Sequence, residues 1–313
     1  MKSMVLTLVA LLATAPAAAA QAHLLIVSGL GGEPKYVNDF HAWGAQMVDA
    51  ARDRFGLPPE NVVFLAEDPA RDRERISGES RREAVIEALR AMARRAGEDD
   101  RVMILLIGHG SADSRGSRVN LPGPDLTAAE LNEELGAFRT QPIVVVNTTS
   151  ASGDYQEALA GPNRTIITAT RSGMEANETL FGGYFVAAFS GEGADSNRDG
   201  RVTIAEAFEY ARRETEREYT NTGRLQLEHS RMEGDLELAQ LFHLGTPSAG
   251  APADASPELR VLYAERDRLQ EEVEGLRLRG GQIEAAAYQT QLEALLLDLA
   301  RTNRAIQEME GAQ

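Results

Sequence analysis

The chain has 313 residues, of which 43% are hydrophobic, and carries a formal net charge of -16 at pH 7. That length and hydrophobic content are enough for a large buried core. The acidic balance excludes nucleic acid as a partner, because phosphate binding requires clustered cations. The chain has no cysteine, which excludes disulfides, thiol catalysis and thiolate metal sites.

The first 22 residues have the pattern of a secretory signal peptide. A lysine near the start precedes an apolar run, and small residues with A-x-A spacing end the segment at Ala22. We therefore predict cleavage before His23 and export to a bacterial periplasm or to the exterior. The apolar run is short for a membrane span and no later run approaches that length, so we expect no membrane span after cleavage.

Residues 23–244 alternate between apolar runs and amphipathic segments, which predicts one α/β domain. Predicted strands begin at Leu24, Asn61, Arg101, Ile143 and Arg164, and predicted helices cover 36–55, 80–95, 126–138 and 204–219. Thr127 is placed to cap the third helix. Because the strands are nearly continuous apolar runs, the expected sheet is mainly parallel and covered by helices on both faces.

Three of the predicted strands end in polar or glycine-rich turns, with the sequences GLGG, GHGS and TTSASG. Ligands of such sheets bind at the carboxyl ends of the strands. Between its two glycines, His109 has room to act as a base, and the amide of Gly110 could face an oxyanion. Ser150, in the last turn, could attack only if a base took its proton. The alternative is that these hydroxyls merely hydrogen-bond the turn backbone.

Four features follow one another in a characteristic order between His23 and Thr179. They are an early turn with Tyr36, Asn38 and His41, a strand ending at His109-Gly110, the stretch LPGPDL from Leu121, and a strand closing on Ser152-Gly153. In this order the chain resembles the legumain-type (C13) branch of the caspase-like peptidases. The resemblance implies a caspase-like fold, with a mainly parallel sheet, and an ancestry of peptide-bond hydrolysis.

The resemblance also implies roles for individual residues. In the family a strand ends Glu-Ala-Cys-Glu-Ser-Gly, and matching its Ser-Gly pair puts Ser150 where the nucleophilic cysteine stands. His109 would then be the general base, and the Gly110 amide would form the oxyanion hole. The implied substrate-binding residues are Asn38, Thr148 and Ser152.

The chain departs from the family at three positions. Ser150 replaces the cysteine, Thr148 replaces an acidic residue that recognises the substrate, and Phe40 stands where legumains have an arginine. A serine hydroxyl needs a stronger, better-oriented base than an acidic thiol does. Two hypotheses stay open: a peptidase with a serine nucleophile, or a homologue without activity. The second would hold a peptide or protein in the strand-end cleft or on its C-terminal helices.

A separate motif, 195-DSNRDGRVTIAE-206, matches the twelve-residue EF-hand loop. The predicted Ca²⁺ ligands are the side chains of Asp195, Asn197, Asp199 and Glu206 and the carbonyl of Arg201. Gly200 falls at the sharp turn of such loops. The alternative is an acidic surface loop before a helix. A single loop in an exported protein favours a structural Ca²⁺ over a sensor.

The C-terminal part changes composition twice. Residues 245–257 form a Pro/Ala/Ser/Gly linker, and 258–313 are charged and leucine-rich with a break at Gly280 and Gly281. We predict two helices there, forming a hairpin or a coiled coil. Either this pair docks on the main domain, or it serves self-association or partner binding.

Overall fold

The structure is a computed structural model that describes residues 20–191, 193–245, 251–252 and 254–311. Most of the predicted signal peptide, residues 1–19, lies outside the described residues, as do residues 246–250 and 253 of the predicted linker and residues 312–313 at the end of the predicted hairpin. The first strand begins at Ala22. The predicted cleavage point therefore lies one residue into that strand.

The described part of the chain contains ten strands. They are β1 (Ala22–Ser28), β2 (Val62–Ala66), β3 (Gly78–Glu79), β4 (Arg101–Ile107), β5 (Gly110–Asp113), β6 (Gly116–Val119), β7 (Leu126–Thr127), β8 (Ile143–Asn147), β9 (Arg164–Thr168) and β10 (Arg231–Gly234). Seven form the central sheet in the order β10-β9-β8-β4-β1-β2-β3. Its strand pairs are parallel except β9 with β10. The other three strands form a small antiparallel sheet.

Nine α-helices lie within the described residues. They are α1 (Pro34–Asp49), α2 (Arg82–Arg95), α3 (Ala128–Leu135), α4 (Tyr155–Ala158), α5 (Phe181–Ser190), α6 (Ile204–Thr222), α7 (Leu236–Leu241), α8 (Pro257–Leu278) and α9 (Ala285–Glu310). A π-helical turn, Ala50–Arg54, continues α1, which accounts for the longer helix predicted there. None of the helices in the described residues is both long and apolar enough to cross a membrane.

Both faces of the central sheet are buried. Leu24 and Ile26 of β1 pack on one side with α1, α5 and α6, while Leu25 and Val27 pack on the other with α2 and α3. Successive side chains of a strand point to opposite faces, so a strand buried on both sides reads as a continuous apolar run. The predicted α/β class, with a mainly parallel sheet between two helical layers, is confirmed.

The strand order brings the predicted turns together. β4 pairs with β1 on one side and with β8 on the other, all three running in the same direction. The segments that follow these strands therefore leave the sheet at the same edge. This is the edge where ligands bind in sheets of this kind.

The last two helices form the predicted hairpin. A 3₁₀ turn, Gly280–Gln282, lies between α8 and α9, at the predicted glycine break. α8 contacts the main domain through Glu271, which accepts hydrogen bonds from Arg101 (2.8 Å) and pairs with His243 (2.8 Å). α9 packs along α8.

Candidate active site

The Ser150 hydroxyl is held by the backbone of Gly110. The Gly110 N–H donates to Ser150 Oγ at 3.0 Å, and the hydroxyl donates to the Gly110 carbonyl at 3.1 Å. Ser150 itself is only 3% exposed. The structure thus brings two of the three predicted turns together, because the turn after β4 is in direct contact with the turn after β8. The contact runs through the backbone next to the histidine.

Close packing explains the glycine at position 110. A Cβ there would lie 2.3 Å from the carbonyl oxygen of Ser150 and 2.7 Å from Oγ1 of Thr149. Any side chain would push the two strand ends apart. Glycine is therefore required here by the close approach of the backbones.

The His109 ring is packed between aromatic side chains. It makes edge-on contacts with Tyr36 (centroids 4.6 Å apart) and Phe40 (5.1 Å). Burial lowers the pKa of its imidazole, and a backbone hydrogen bond at Gly31 only partly opposes this. The ring is therefore neutral at pH 7. Among the hydrogen bonds of the described residues, none joins it to a hydroxyl of the β8 turn.

A charged cluster lies beside the aromatic side chains that pack on His109. The sequence analysis did not predict it. The Tyr36 hydroxyl donates to Glu178 Oε2 at 2.6 Å, and the Lys35 ammonium donates to the same oxygen at 2.9 Å. These hydrogen bonds lower the pKa of Glu178. Glu178 is 142 positions from Tyr36 in the sequence, so no local spacing could have indicated the pair.

The three predicted substrate-binding residues have other partners in the structure. Thr148 donates to the Leu106 carbonyl at 2.9 Å, and Ser152 shares a hydrogen bond with Thr170 at 3.2 Å; both threonine and serine are buried. Asn38 is exposed on α1, where its side-chain oxygen accepts from Arg71 at 2.6 Å. Thr148 and Ser152 therefore stabilise the turn after β8, and Asn38 stabilises the surface of α1.

The backbone immediately after Ser150 is in an unusual conformation. Ala151 has a φ of 52°, in the left-handed region that non-glycine residues rarely adopt. Its N–H donates to the Glu175 carbonyl at 2.8 Å. The Glu175 carboxylate pairs in turn with His229 at 2.7 Å. The segment after β9 thus fixes the strained residue, and strain of this kind occurs preferentially at functional sites.

The 195–206 loop lies away from the strand ends and has the internal turn of the EF-hand pattern. The Asp195 carboxylate accepts hydrogen bonds from the N–H groups of Asp199 (3.2 Å) and Gly200 (2.9 Å). Asn197 Oδ1 also accepts from Asp199 N–H, at 2.8 Å. Gly200 has a φ of 87°, which glycine adopts without strain. The side-chain oxygens at the first and third loop positions therefore face the loop backbone.

Glu206, the twelfth position, is engaged in capping α6. One carboxylate oxygen accepts from the N–H and hydroxyl of Thr203, both at 3.0 Å, and the other accepts from Ser196. Within the described residues, no three acidic or histidine side chains lie close enough together to hold a metal ion. The loop and α8 border a cavity of about 180 Å³. The four predicted ligand side chains accept hydrogen bonds from the loop and from the capping box of α6.

Comparison with known protein families gives a match. The model of the peptidase C13 family matches residues 76–240, which is more than half of the chain. The chain belongs to the peptidase C13 family. The predicted relationship is confirmed, and the matched region includes His109, Ser150 and the whole 195–206 loop. Asn38 lies before that region and the helical hairpin after it.

One solved structure similar to this chain is that of a secreted C11 cysteine protease from Bacteroides thetaiotaomicron in complex with an irreversible peptide inhibitor. Sequence identity is 11% and the TM-score is 0.39, and the match covers 71% of this chain and 68% of that chain. No curated protein matches the chain.

Proposed function

We propose that the chain is an exported, periplasmic or secreted member of the peptidase C13 family that has lost catalysis and binds peptide segments at the carboxyl edge of its sheet. The observation that carries the proposal is the pair of hydrogen bonds between Ser150 and Gly110. Binding without cleavage needs an accessible surface at the strand ends but no nucleophile.

The hydrogen bonds oppose a serine mechanism in two ways. A serine attacks after its proton passes to a base, yet the Ser150 proton is directed to a carbonyl oxygen. The Gly110 amide, which would stabilise an oxyanion, is already bonded to the attacking atom. A productive serine would have to leave both partners and turn to the His109 ring, which is packed against Tyr36 and Phe40.

Covalent labelling separates the two hypotheses. We expect a fluorophosphonate probe, which reacts with activated serines, to leave the purified protein unlabelled and a peptide library to remain uncleaved. The alternative, a peptidase with a serine nucleophile, predicts labelling that disappears in Ser150→Ala and in His109→Ala. Labelling lost in both variants would refute the proposed loss of catalysis.

The absence of cysteine from the chain provides a test of the cleft itself. Ser150→Cys introduces a unique thiol at the nucleophile position. Because position 150 is only 3% exposed, we expect iodoacetamide to label the thiol slowly and a bound unreactive peptide to slow that labelling further. Labelling at the same rate with and without the peptide would show that the strand ends do not bind peptides. The helical hairpin would then be the remaining partner surface.

We propose further that the 195–206 loop binds a structural Ca²⁺. Support comes from oxygen-bearing residues at loop positions one, three, five and twelve and from the turn around Gly200. Ca²⁺ would draw the side chains of Asp195, Asn197, Asp199 and Glu206 and the Arg201 carbonyl to one centre. Glu206 would then exchange its two hydrogen bonds from Ser196 for the ion.

Thermal unfolding tests the calcium proposal. Ligand that binds only the folded state stabilises it by about 2.7 kcal/mol at a hundred times its dissociation constant. We expect Ca²⁺ to raise the melting temperature relative to a chelator and Asp195→Ala to abolish that rise. Asp53→Ala, at an exposed position of the main domain, should keep it. A wild-type melting temperature that is the same with millimolar Ca²⁺ and with chelator would exclude the site.

A further inference from the structure

The outer surface of α9 has no partner within the described residues. Along this 26-residue helix, Ile306 is the only buried side chain, packed with Leu259 and Tyr263 of α8. Leu296 and Leu297 are 41% and 51% exposed. An amphipathic helix buries one apolar stripe against its neighbour, so a second set of exposed leucines requires a separate explanation.

The exposed stripe lies opposite the face that packs on α8. Side chains spaced three and four positions apart share one face of a helix. The face toward α8 carries the half-buried Leu292, Leu295 and Leu299 and the buried Ile306. The opposite face carries, all exposed, Thr290, Glu293, Leu297, Ala300 and Arg304. Leu296, three positions after Glu293 and four before Ala300, borders the same face, so the exposed apolar part of α9 consists of Leu296, Leu297 and Ala300.

The charges on this outer face are separated along the helix. From Ala285 to Leu297 the only charged residue is Glu293, and Arg304 lies three turns further on. The Glu293 and Arg304 side chains are both exposed, and neither makes a hydrogen bond or an ion pair with any described residue. Glu293 and Arg304 therefore lie on either side of Leu297 and Ala300, and the exposed Glu308 lies one turn beyond Arg304.

We propose that a second copy of this chain covers the stripe, with the two α9 helices antiparallel about a two-fold axis between Leu297 and Ala300. In this register Leu297 of each copy packs on Ala300 of the other, and Glu293 faces Arg304. A two-fold contact uses the same surface on both copies, and this one repeats the charge pair twice. The alanine lets the helices approach closely at the axis.

Charge fixes the direction of the pairing. A parallel arrangement would place Glu293 against Glu293 and Arg304 against Arg304, and like charges across a helix pair are unfavourable. The antiparallel arrangement joins opposite charges at both ends of the apolar centre. The surface is separate from the strand-end cleft, so its test does not depend on whether the cleft binds peptides.

Sedimentation equilibrium of the full mature chain, at several protein concentrations, measures the association. We expect a dimer whose dissociation constant rises at least tenfold in Leu297→Asp. Glu293→Arg and Arg304→Glu alone should each raise it by about tenfold, because each creates two like-charge contacts of the size seen for exposed pairs. The double variant Glu293→Arg/Arg304→Glu restores opposite charges and should return the dissociation constant close to wild type.

A charge reversal of the same size elsewhere, Glu60→Arg on the exposed surface of the main domain, should leave the association unchanged. Circular dichroism checks that each variant is folded. A wild-type monomer at every concentration overturns the proposal, and so does a dimer unaffected by Leu297→Asp. A double variant no better than the single ones overturns the antiparallel register.

Discussion

The Ser150 hydroxyl is the buried polar group on which the proposed loss of catalysis rests. Burying a hydroxyl is costly unless it is hydrogen-bonded, and the backbone of Gly110 supplies both a donor and an acceptor. The sequence indicated that the turns carrying these residues lie at one edge. It could not indicate which group holds the hydroxyl, because that depends on the distance between the two backbones.

The protonation of His109 can be measured directly. Burial lowers its pKa, so the folded state binds its proton less readily than the unfolded state. Protonation of His109 therefore lowers the free energy of unfolding. This loss is absent well above pH 6.5 and grows as the pH falls toward the folded pKa. We expect an NMR titration to give a midpoint below 6.5 for the resonance that disappears in His109→Gln. A midpoint at or above 6.5 would contradict the buried environment.

The helices show which local signals are reliable. Thr127 caps α3 as predicted, and together with Glu130 it forms a reciprocal capping box. Such signals are local, since the partners lie three residues apart. The small sheet of β5, β6 and β7 was not predicted, because its short polar strands lack apolar alternation. Neither was α5, whose sequence FGGYFVAAFS is apolar on all sides and has no helical period.

The capping box of α3 predicts a measurable loss of stability. Thr127→Ala removes the acceptor for the Glu130 N–H, which lies 3.2 Å from the Thr127 hydroxyl. We expect the free energy of unfolding in urea to fall by about 1 kcal/mol. Thr220→Ala, an exposed threonine near the end of α6, serves as the control and should change it by less than about 0.5 kcal/mol.

At the scale of the whole molecule, the helical hairpin contacts the main domain at a polar cluster. Burial disfavours an ionised Glu271, but hydrogen bonds from His243 and Arg101 outweigh it and lower its pKa to about 2. Arg201 of the 195–206 loop also reaches the cluster, with 3.1 Å to Gln270 of α8. The sequence left docking and self-association as alternatives; in the structure α8 is docked while α9 keeps an exposed face.

Removing one charge should loosen the hairpin without unfolding the domain. In Glu271→Gln the Arg101 and His243 contacts lose their anionic partner, and since Glu271 is partly exposed we expect a cost of about 1 kcal/mol. Hydrogen exchange of the α8 amides should then be about fivefold faster. Glu272→Gln, whose partner Arg268 lies on the same helix, should exchange as wild type. Unchanged exchange in Glu271→Gln would show that apolar contacts alone dock α8.

The sequence by itself determined the α/β class, the family, five strands of the central sheet and six of the nine α-helices, including the helical hairpin. These follow from apolar periodicity, caps and motifs, which act over a few residues. Only the tertiary structure decided that Ser150 bonds to Gly110, that Tyr36 bonds to Glu178, and that Glu271 bonds to Arg101. These partners are between 40 and 170 positions apart. Their contacts arise from strand order and helix docking, which no local pattern contains.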